Sequence, residues 1–248
     1  MEKFSIENKI EKSGKEELKK TEETPEIKMP EIAELSEPVK KILSGLRENI
    51  DKGDYAAIFG DDASGRLPVL LFQRILSAIY KEKNLDRPKI LFFAGREIWN
   101  PKLKEKISQD FRNFIEKTKV REMAENKKVL LVTDTISSGA HLHPFTEILK
   151  KMKINFDIAT IGIFFRDNQG MLEKYLGGKI FWGMGGAPGI FKRHNLSGVE
   201  KRDDSSIFAK LPTRFKGDKE MAKKRFEARK DVEILAQKLI RWYRKESI

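Results

Sequence analysis

Residues 129–142 read Val-Leu-Leu-Val-Thr-Asp-Thr-Ile-Ser-Ser-Gly-Ala-His-Leu, and this stretch decides the fold. Its four leading apolar residues predict a short buried strand of the kind found in parallel sheets. Asp134 and a turn of small residues follow, and an amphipathic stretch with helical spacing comes next. Such a turn before a helix N-terminus offers N–H groups and hydroxyls to an anion, and a carboxylate accepts hydrogen bonds from sugar hydroxyls. The stretch therefore indicates a phosphorylated-sugar site, or an ordinary turn in which Ser137 and Ser138 cap a helix.

The same stretch resembles the phosphoribosyl-pyrophosphate (PRPP) signature of the type I phosphoribosyltransferases. In that signature, four apolar residues precede two acids, a two-residue spacer and a small hydroxyl-rich loop. Asp134 falls on the second acid and would be the catalytic residue, whereas Thr133 stands where the family usually carries the first acid. His141 replaces the usual small hydroxyl residue that closes the loop. The resemblance implies that ribose and its 5-phosphate are bound by Thr133, Asp134, Ser137, Ser138, Gly139, Ala140 and His141.

A second strand–turn–helix pattern lies upstream. Residues 56–59 predict a buried strand, and Pro68 suits the first turn of the helix that follows, where a missing N–H costs nothing. The turn between them resembles the pyrophosphate loop of the same family, with Ala63 in place of its first Arg. A glycine turn with one arginine binds a diphosphate through backbone donors and a guanidinium fork, but it would equally be a plain surface turn. The resemblance implies that pyrophosphate is bound by Asp62, Ala63, Ser64, Gly65 and Arg66.

The rest of the chain fits an α/β fold. Further strands are predicted at residues 89–94, 156–165 and 179–182, and helices at residues 67–81, 102–124, 141–153 and 168–176. Apolar strands that alternate with helices predict an open, mostly parallel sheet of about five strands flanked by helices. Ligands of such sheets bind outside the carboxyl ends of the strands. The family resemblance covers residues 54–185.

Three segments are expected along the 248 residues. Residues 1–35 hold 10 acidic residues and 7 lysines with few large apolar side chains, which predicts a disordered, solvated tail. A partner-binding segment at residues 27–32 is the alternative. Residues 36–190 form the phosphoribosyltransferase-like core, and its first helix spans residues 36–53. Residues 191–248 form a C-terminal extension.

The C-terminal extension ends in a predicted basic amphipathic helix over residues 218–245. Residues 189–248 hold 17 Lys and Arg residues against 9 Asp and Glu, within a chain whose net charge is +12. The spacing favours a docked helix with a solvated basic face, and nucleic-acid binding is the alternative. The expected apolar face consists of Phe226, Val232, Leu235, Leu239, Ile240, Trp242 and Tyr243.

A glycine-rich segment, residues 183–189, follows the fifth strand and is predicted to be irregular. Related enzymes often close a segment over the nucleobase near this point. The resemblance therefore implies a stacking surface from Trp182, Met184 and Phe191, and a flexible connector is the alternative.

The composition limits which cellular compartment and which cofactor we expect. The chain has no cysteine and no apolar run of membrane-spanning length, so we expect a cytoplasmic protein without a membrane partner. His141 and His143 lack further ligands at suitable spacing, so no protein-held metal is predicted. The resemblance implies Mg²⁺ carried by the bound diphosphate. The sequence leaves open whether the chain forms a homodimer.

The expected function is phosphoribosyl transfer to or from a nitrogen base, with PRPP as donor and release of pyrophosphate. Two alternatives belong to other classes. One is a non-catalytic member of the fold that senses PRPP or a nucleotide, which the residues Thr133 and Ala63 favour because both replace charged groups. The other is a nucleic-acid-binding protein that uses the basic C-terminal helix.

Overall fold

A computed structural model describes residues 25–61, 65–94, 101–192, 194–197, 200–201, 207–210 and 218–246. Its main sheet has five parallel strands in the order β2-β1-β3-β4-β5. The expected α/β class, an open parallel sheet of about five strands flanked by helices, is confirmed. The strands are β1 (Tyr55–Asp61), β2 (Lys89–Phe93), β3 (Lys128–Ile136), β4 (Phe156–Ile163) and β5 (Lys179–Gly185), and a small antiparallel pair consists of β6 (Glu200–Lys201) and β7 (Ala209–Lys210).

Helices cover both faces of the sheet, because its strands are apolar on both sides. The helices are α1 (Pro30–Ala33), α2 (Ser36–Lys52), α3 (Arg66–Glu82), α4 (Pro101–Lys117), α5 (Val120–Met123), α6 (His143–Lys151), α7 (Gln169–Leu176) and α8 (Lys219–Lys245). One core lies between the sheet and α1, α2, α3 and α8. The second core lies between the opposite face and α4 to α7. Within the described ranges, no helix is long and apolar enough to cross a membrane.

Two predicted helices have different ends in the structure. The helix predicted over residues 102–124 is divided into α4 and α5, because Lys119 adopts a left-handed conformation with φ 57°. The helix predicted from residue 141 begins at His143, because the preceding residues form a turn whose Gly139 has φ 76°. Left-handed backbone interrupts an α-helix in both places.

A polar network fastens the amino ends of the strands. The buried carboxylate of Asp157 in β4 accepts hydrogen bonds from the hydroxyl of Tyr55 at 2.8 Å and from Nδ2 of Asn49 at 3.2 Å. Lys128 at the start of β3 lies 3.1 Å from the same oxygen. Burial, together with the neighbouring Asp157 charge, raises the pKa of Tyr55, so its phenol stays a neutral donor. The network joins three strands and α2 at the end opposite the candidate site.

Residues 25–35 pack against the folded core. Ile32 and Leu35 are fully buried in the core beneath α8. Oδ2 of Asp231, a buried residue of α8, accepts the backbone N–H groups of Lys28 at 3.0 Å and Met29 at 2.7 Å. The expectation of a solvated tail is therefore wrong for residues 25–35, whose partner is α8 of the same chain. Residues 1–24 lie outside the described residues.

Helix α8 docks on the core as the spacing predicts. Its buried positions are Ala228, Asp231, Val232, Ile234, Leu235, Ala236, Leu239, Ile240 and Tyr243. Phe226 was expected on this face but is 70% exposed, because α8 begins to contact the core only two residues later, at Ala228. Trp242 is half-buried. The interpretation of a docked helix with a solvated basic face is confirmed.

Gly183 and Gly185 are part of β5, so the prediction of irregular structure is wrong for residues 183–185, and the strand ends before Gly186. Met184 pairs with Gly162 of β4, and the pairing continues to Gly185. A Cβ atom at Gly183 would lie 2.4–2.7 Å from atoms of Pro38, including its backbone. Glycine is therefore needed here because the start of α2 approaches the strand closely.

We expect the variant Gly183→Ala to lower the free energy of unfolding by about 1–3 kcal/mol, because the new methyl group overlaps the Pro38 backbone. Denaturant unfolding would measure this loss. Gly170→Ala is the matched control, since no heavy atom lies within 4 Å of its Cβ position. That control should leave stability unchanged or raise it by up to about 1 kcal/mol. Equal stability of the two variants would contradict the close packing of α2 on β5.

Candidate functional site

The topology of the sheet places a crevice between β1 and β3. The chain leaves β1 toward β2 on one side, and it leaves β3 toward β4 on the other. Ligands of open α/β sheets bind outside the carboxyl ends of the strands at such a reversal of strand order. The two loops that the sequence singled out follow β1 and β3, so both flank this point.

Strand β3 extends further than the sequence indicated. Its pairing with β1 ends at Val132, which lies opposite Gly60, but its pairing with β4 continues to Ile136. The predicted strand, residues 129–132, is thus too short, because β4 supplies a partner beyond the apolar run. Asp134 therefore lies inside the strand and not after it.

The polar side chains of this extension are buried. Thr133 is 1% exposed and Asp134 is 2% exposed. The hydroxyl of Thr133 donates to Oδ1 of Asp134 at 3.4 Å. Among the described residues, the buried hydroxyl of Thr135 has no hydrogen-bond partner. Contact between Asp134 and a sugar therefore requires the residues that cover it to move.

The loop after β3 is the accessible part of the candidate site. Ser137 and Ser138 are exposed, and Ala140 is half-buried. The carbonyl of Gly139 accepts the N–H groups of Leu142 and of His143, each at 3.0 Å. Within the described part of the chain, the backbone N–H groups of Ser138 and Gly139 have no acceptor. Two backbone donors and two hydroxyls are thus available to an anion at this turn.

The loop after β1 is described only in part. Asp62, Ala63 and Ser64 lie outside the described residues. Gly65 packs directly on β3, since a Cβ atom there would lie 3.1 Å from the carbonyl oxygen of Val132. The guanidinium of Arg66, by contrast, lies 4.7 Å from the ring centroid of Phe92, on the strand at the far side of β1.

A contact that the sequence analysis missed joins the two loops. Asp61, the last residue of β1, is 2% exposed, and its Oδ2 lies 3.7 Å from Nε2 of His141. The prediction ended β1 at residue 59 and placed Asp62, not Asp61, among the pyrophosphate-binding residues. The Asp61–Asp62 pair in the sequence was a signal for an acid here, but only the structure shows that Asp61 is buried at the end of β1. This contact links the end of β1 to the loop after β3.

A cavity of about 290 Å³ extends this site toward α7. The hydroxyl-bearing Ser137 and Ser138 line one end, and Phe165, Met171 and Tyr175 line the other. These three apolar side chains are between 43% and 66% exposed. An apolar shelf therefore adjoins the loop after β3, and the sequence pattern of α7 did not reveal it.

The stacking residues expected near the fifth strand are placed differently. Trp182 is half-buried at the edge of the sheet and donates from Nε1 to Oε1 of Gln169 at 2.8 Å. Met184 packs against the core beneath α2. The side chain of Phe191 lies outside the described part of the structure. Trp182 and Met184 thus pack against different cores of the sheet.

Comparison with known proteins finds similarity to a solved structure but to no family model. No protein-family model matches the chain, and no curated protein matches it. A crystal structure of a phosphoribosyltransferase from Corynebacterium diphtheriae is similar at 19% identity, with a TM-score of 0.31. The match covers 63% of this chain and 96% of that chain. At these values the likeness adds nothing to what the strand order itself shows.

The imidazole of His143, the first residue of α6, should titrate below its ordinary pKa of 6.5. Burial lowers this pKa most, Lys104 and Lys150 lower it further, and Glu147 raises it. We therefore expect a neutral His143 beside the loop at pH 7. NMR titration of the three histidines would measure it, with His143→Gln for assignment. Glu147→Gln should lower the pKa of His143 further, because it removes the nearby negative charge that raises it. A rise of this pKa would contradict the assigned effect of Glu147.

Proposed function

We propose that this chain binds PRPP at the carboxyl ends of β1 and β3 and transfers its phosphoribosyl group to a nitrogen base, with release of pyrophosphate. The observation that carries the proposal is the meeting of both motif-bearing loops at the reversal of strand order, joined by the Asp61–His141 contact. Each loop on its own would be equally compatible with an ordinary turn between a strand and a helix.

The 5-phosphate would be held by the loop after β3. The open N–H groups of Ser138 and Gly139 and the exposed hydroxyls of Ser137 and Ser138 are suitable donors. The small side chain of Ala140 would let the phosphate approach the loop backbone closely, and His141 lies beside Asp61 at the end of β1. Binding by backbone donors needs no protein cation at this point.

The ribose and the diphosphate would lie between the two loops. Asp134 would accept hydrogen bonds from the ribose hydroxyls, with Thr133 beside it, once the covering residues move. Arg66 would turn from Phe92 to neutralise the diphosphate, and Asp62, Ala63, Ser64 and Gly65 would complete the loop around it. In such a reaction, positioned donors stabilise the departing diphosphate and an oxocarbenium-like carbon, and no protein nucleophile is required.

Magnesium would reach this site with the diphosphate. Mg²⁺ is usually held by one or two carboxylates together with substrate phosphates. Asp61 ends β1, Asp134 lies near the carboxyl end of the neighbouring β3, and the two carboxylates fit that limited role. In the described part of the chain, no group of three or more His, Asp or Glu side chains would hold a metal ion by itself. Bound Mg²⁺ would neutralise charge on the leaving group.

A non-catalytic PRPP-sensing protein is the second candidate. The observation that favours it is the burial of Thr133, which supplies no charge where the resembled family carries an acid. The accessible loop after β3 would then bind phosphate while the reaction centre stays closed. Both functions predict binding of ribose 5-phosphate, and only transfer predicts release of pyrophosphate.

The decisive experiment mixes the full chain with PRPP, Mg²⁺ and a panel of nitrogen bases. Base-dependent release of pyrophosphate is the expected result. Saturable binding of PRPP without release would support the sensing protein instead. Absence of binding for both PRPP and ribose 5-phosphate in calorimetry would overturn both functions.

The variant Asp134→Asn should bind PRPP about 10- to 100-fold more weakly, because hydrogen bonds to a charged group contribute about 1.5–3 kcal/mol. Ser138→Ala, a change at an exposed hydroxyl, should weaken binding about fivefold without affecting folding. Asp86→Asn, an exposed acid before β2, is the matched control and should bind normally. Unchanged affinity in the first two variants would contradict the assigned roles.

A further inference from the structure

Two cations share one aromatic ring at the edge strand β5. Nζ of Lys41 lies 3.0 Å from the ring centroid of Trp182, and Cζ of Arg166 lies 5.5 Å from it. Gln169 holds the indole in place by accepting its N–H at 2.8 Å, and it donates to the carbonyl of Ile180 at 3.1 Å. The ring is therefore a fixed platform for both cations.

This pair of cations has no acid to neutralise it in the described structure. No described Asp or Glu lies within ion-pair distance of Lys41 or Arg166. Burial, and then the charge of Arg166, lowers the pKa of Lys41. Like charges held side by side at a site attract an anion, because the anion relieves their repulsion.

Arg166 lies against a strand end shaped to receive it. A Cβ atom at Gly185 would overlap the guanidinium, so glycine at this point of β5 lets the Arg166 side chain lie against the strand. Arg166, Gly185 and Gly186 line a cavity of about 460 Å³ at the carboxyl ends of β4 and β5. The guanidinium thus faces a space large enough for a small ring.

This cavity adjoins the candidate site. Phe165 and Asn168 line both it and the smaller cavity that contains Ser137 and Ser138. A ligand that lies along this surface would meet hydroxyls at one end, the half-exposed ring of Phe165 in the middle, and Arg166 at the other end. The order of groups matches a phosphorylated sugar joined to a planar acidic ring.

We propose that the acceptor is a nitrogen heterocycle that carries a carboxylate, with the ring against Phe165 and the carboxylate bound by Arg166. This inference rests on the proposed function. A guanidinium fork matches a carboxylate with two parallel hydrogen bonds. Asp167 lines the same cavity, so a singly charged carboxylate fits better than a doubly charged phosphate. Lys41 adds positive potential from outside the cavity.

The test compares two probes of nearly equal shape and different charge, pyridine-3-carboxylate and pyridine-3-carboxamide. Calorimetry on the full chain, with and without ribose 5-phosphate, should show about tenfold tighter binding of the carboxylate, as expected for one charge-assisted contact. Arg166→Gln should remove this preference, and Asp167→Asn should increase it. Arg229→Gln, an exposed arginine of α8, is the control and should keep it.

The two proposals fail in different ways. Equal binding of the two probes, or a preference that survives Arg166→Gln, would overturn the carboxylate inference. Failure of ribose 5-phosphate to bind the unaltered chain would overturn the proposed function, whatever the probes do. Asp167→Asn is expected to strengthen binding of the carboxylate, and a misfolded protein would not bind more tightly. Its result therefore helps to distinguish an effect of charge at this cavity from a folding defect in Arg166→Gln.

Discussion

The candidate site depends on the unequal pairing of β3 with its two neighbours. Hydrogen bonding to β1 ends at Val132, whereas pairing with β4 continues to Ile136. Gly65, which follows the turn after β1, lies beside this unpaired edge, and the absence of a side chain lets its backbone approach β3 closely. A longer β1 would close the crevice with a strand. The length difference therefore creates the place where the two loops meet.

The two ends of the sheet are built for different purposes. At the amino ends, Asp157 gathers donors from Tyr55, Asn49 and Lys128, so the buried charge is satisfied and three strands are held together. At the carboxyl ends, the hydroxyl-bearing Ser137 and Ser138 line one cavity and Arg166 lines another. The buried polar network thus lies at the end of the sheet where no ligand is expected, and the accessible polar groups lie at the end where a ligand is expected.

The departures from the resembled motif are coupled in space. His141 replaces a small hydroxyl residue, and it lies within ion-pair distance of Asp61 on the neighbouring strand. Thr133 replaces an acid, and it is buried where an additional charge would lack solvent. Two acids at positions 133 and 134 beside Asp61 would repel one another. The carboxylates described at this edge are therefore Asp61 of β1 and Asp134 of β3.

The sequence by itself determined the five strands, the helices between them and the small-residue turn after β3, because apolar periodicity and turn residues act locally. Only the tertiary structure decided where β3 and β5 end, since a strand continues as long as its neighbour offers hydrogen bonds. It also decided that Asp61 turns inward, that residues 25–35 pack under α8, and that Arg166 meets Trp182. These contacts join residues far apart in the chain, and no local pattern specifies them.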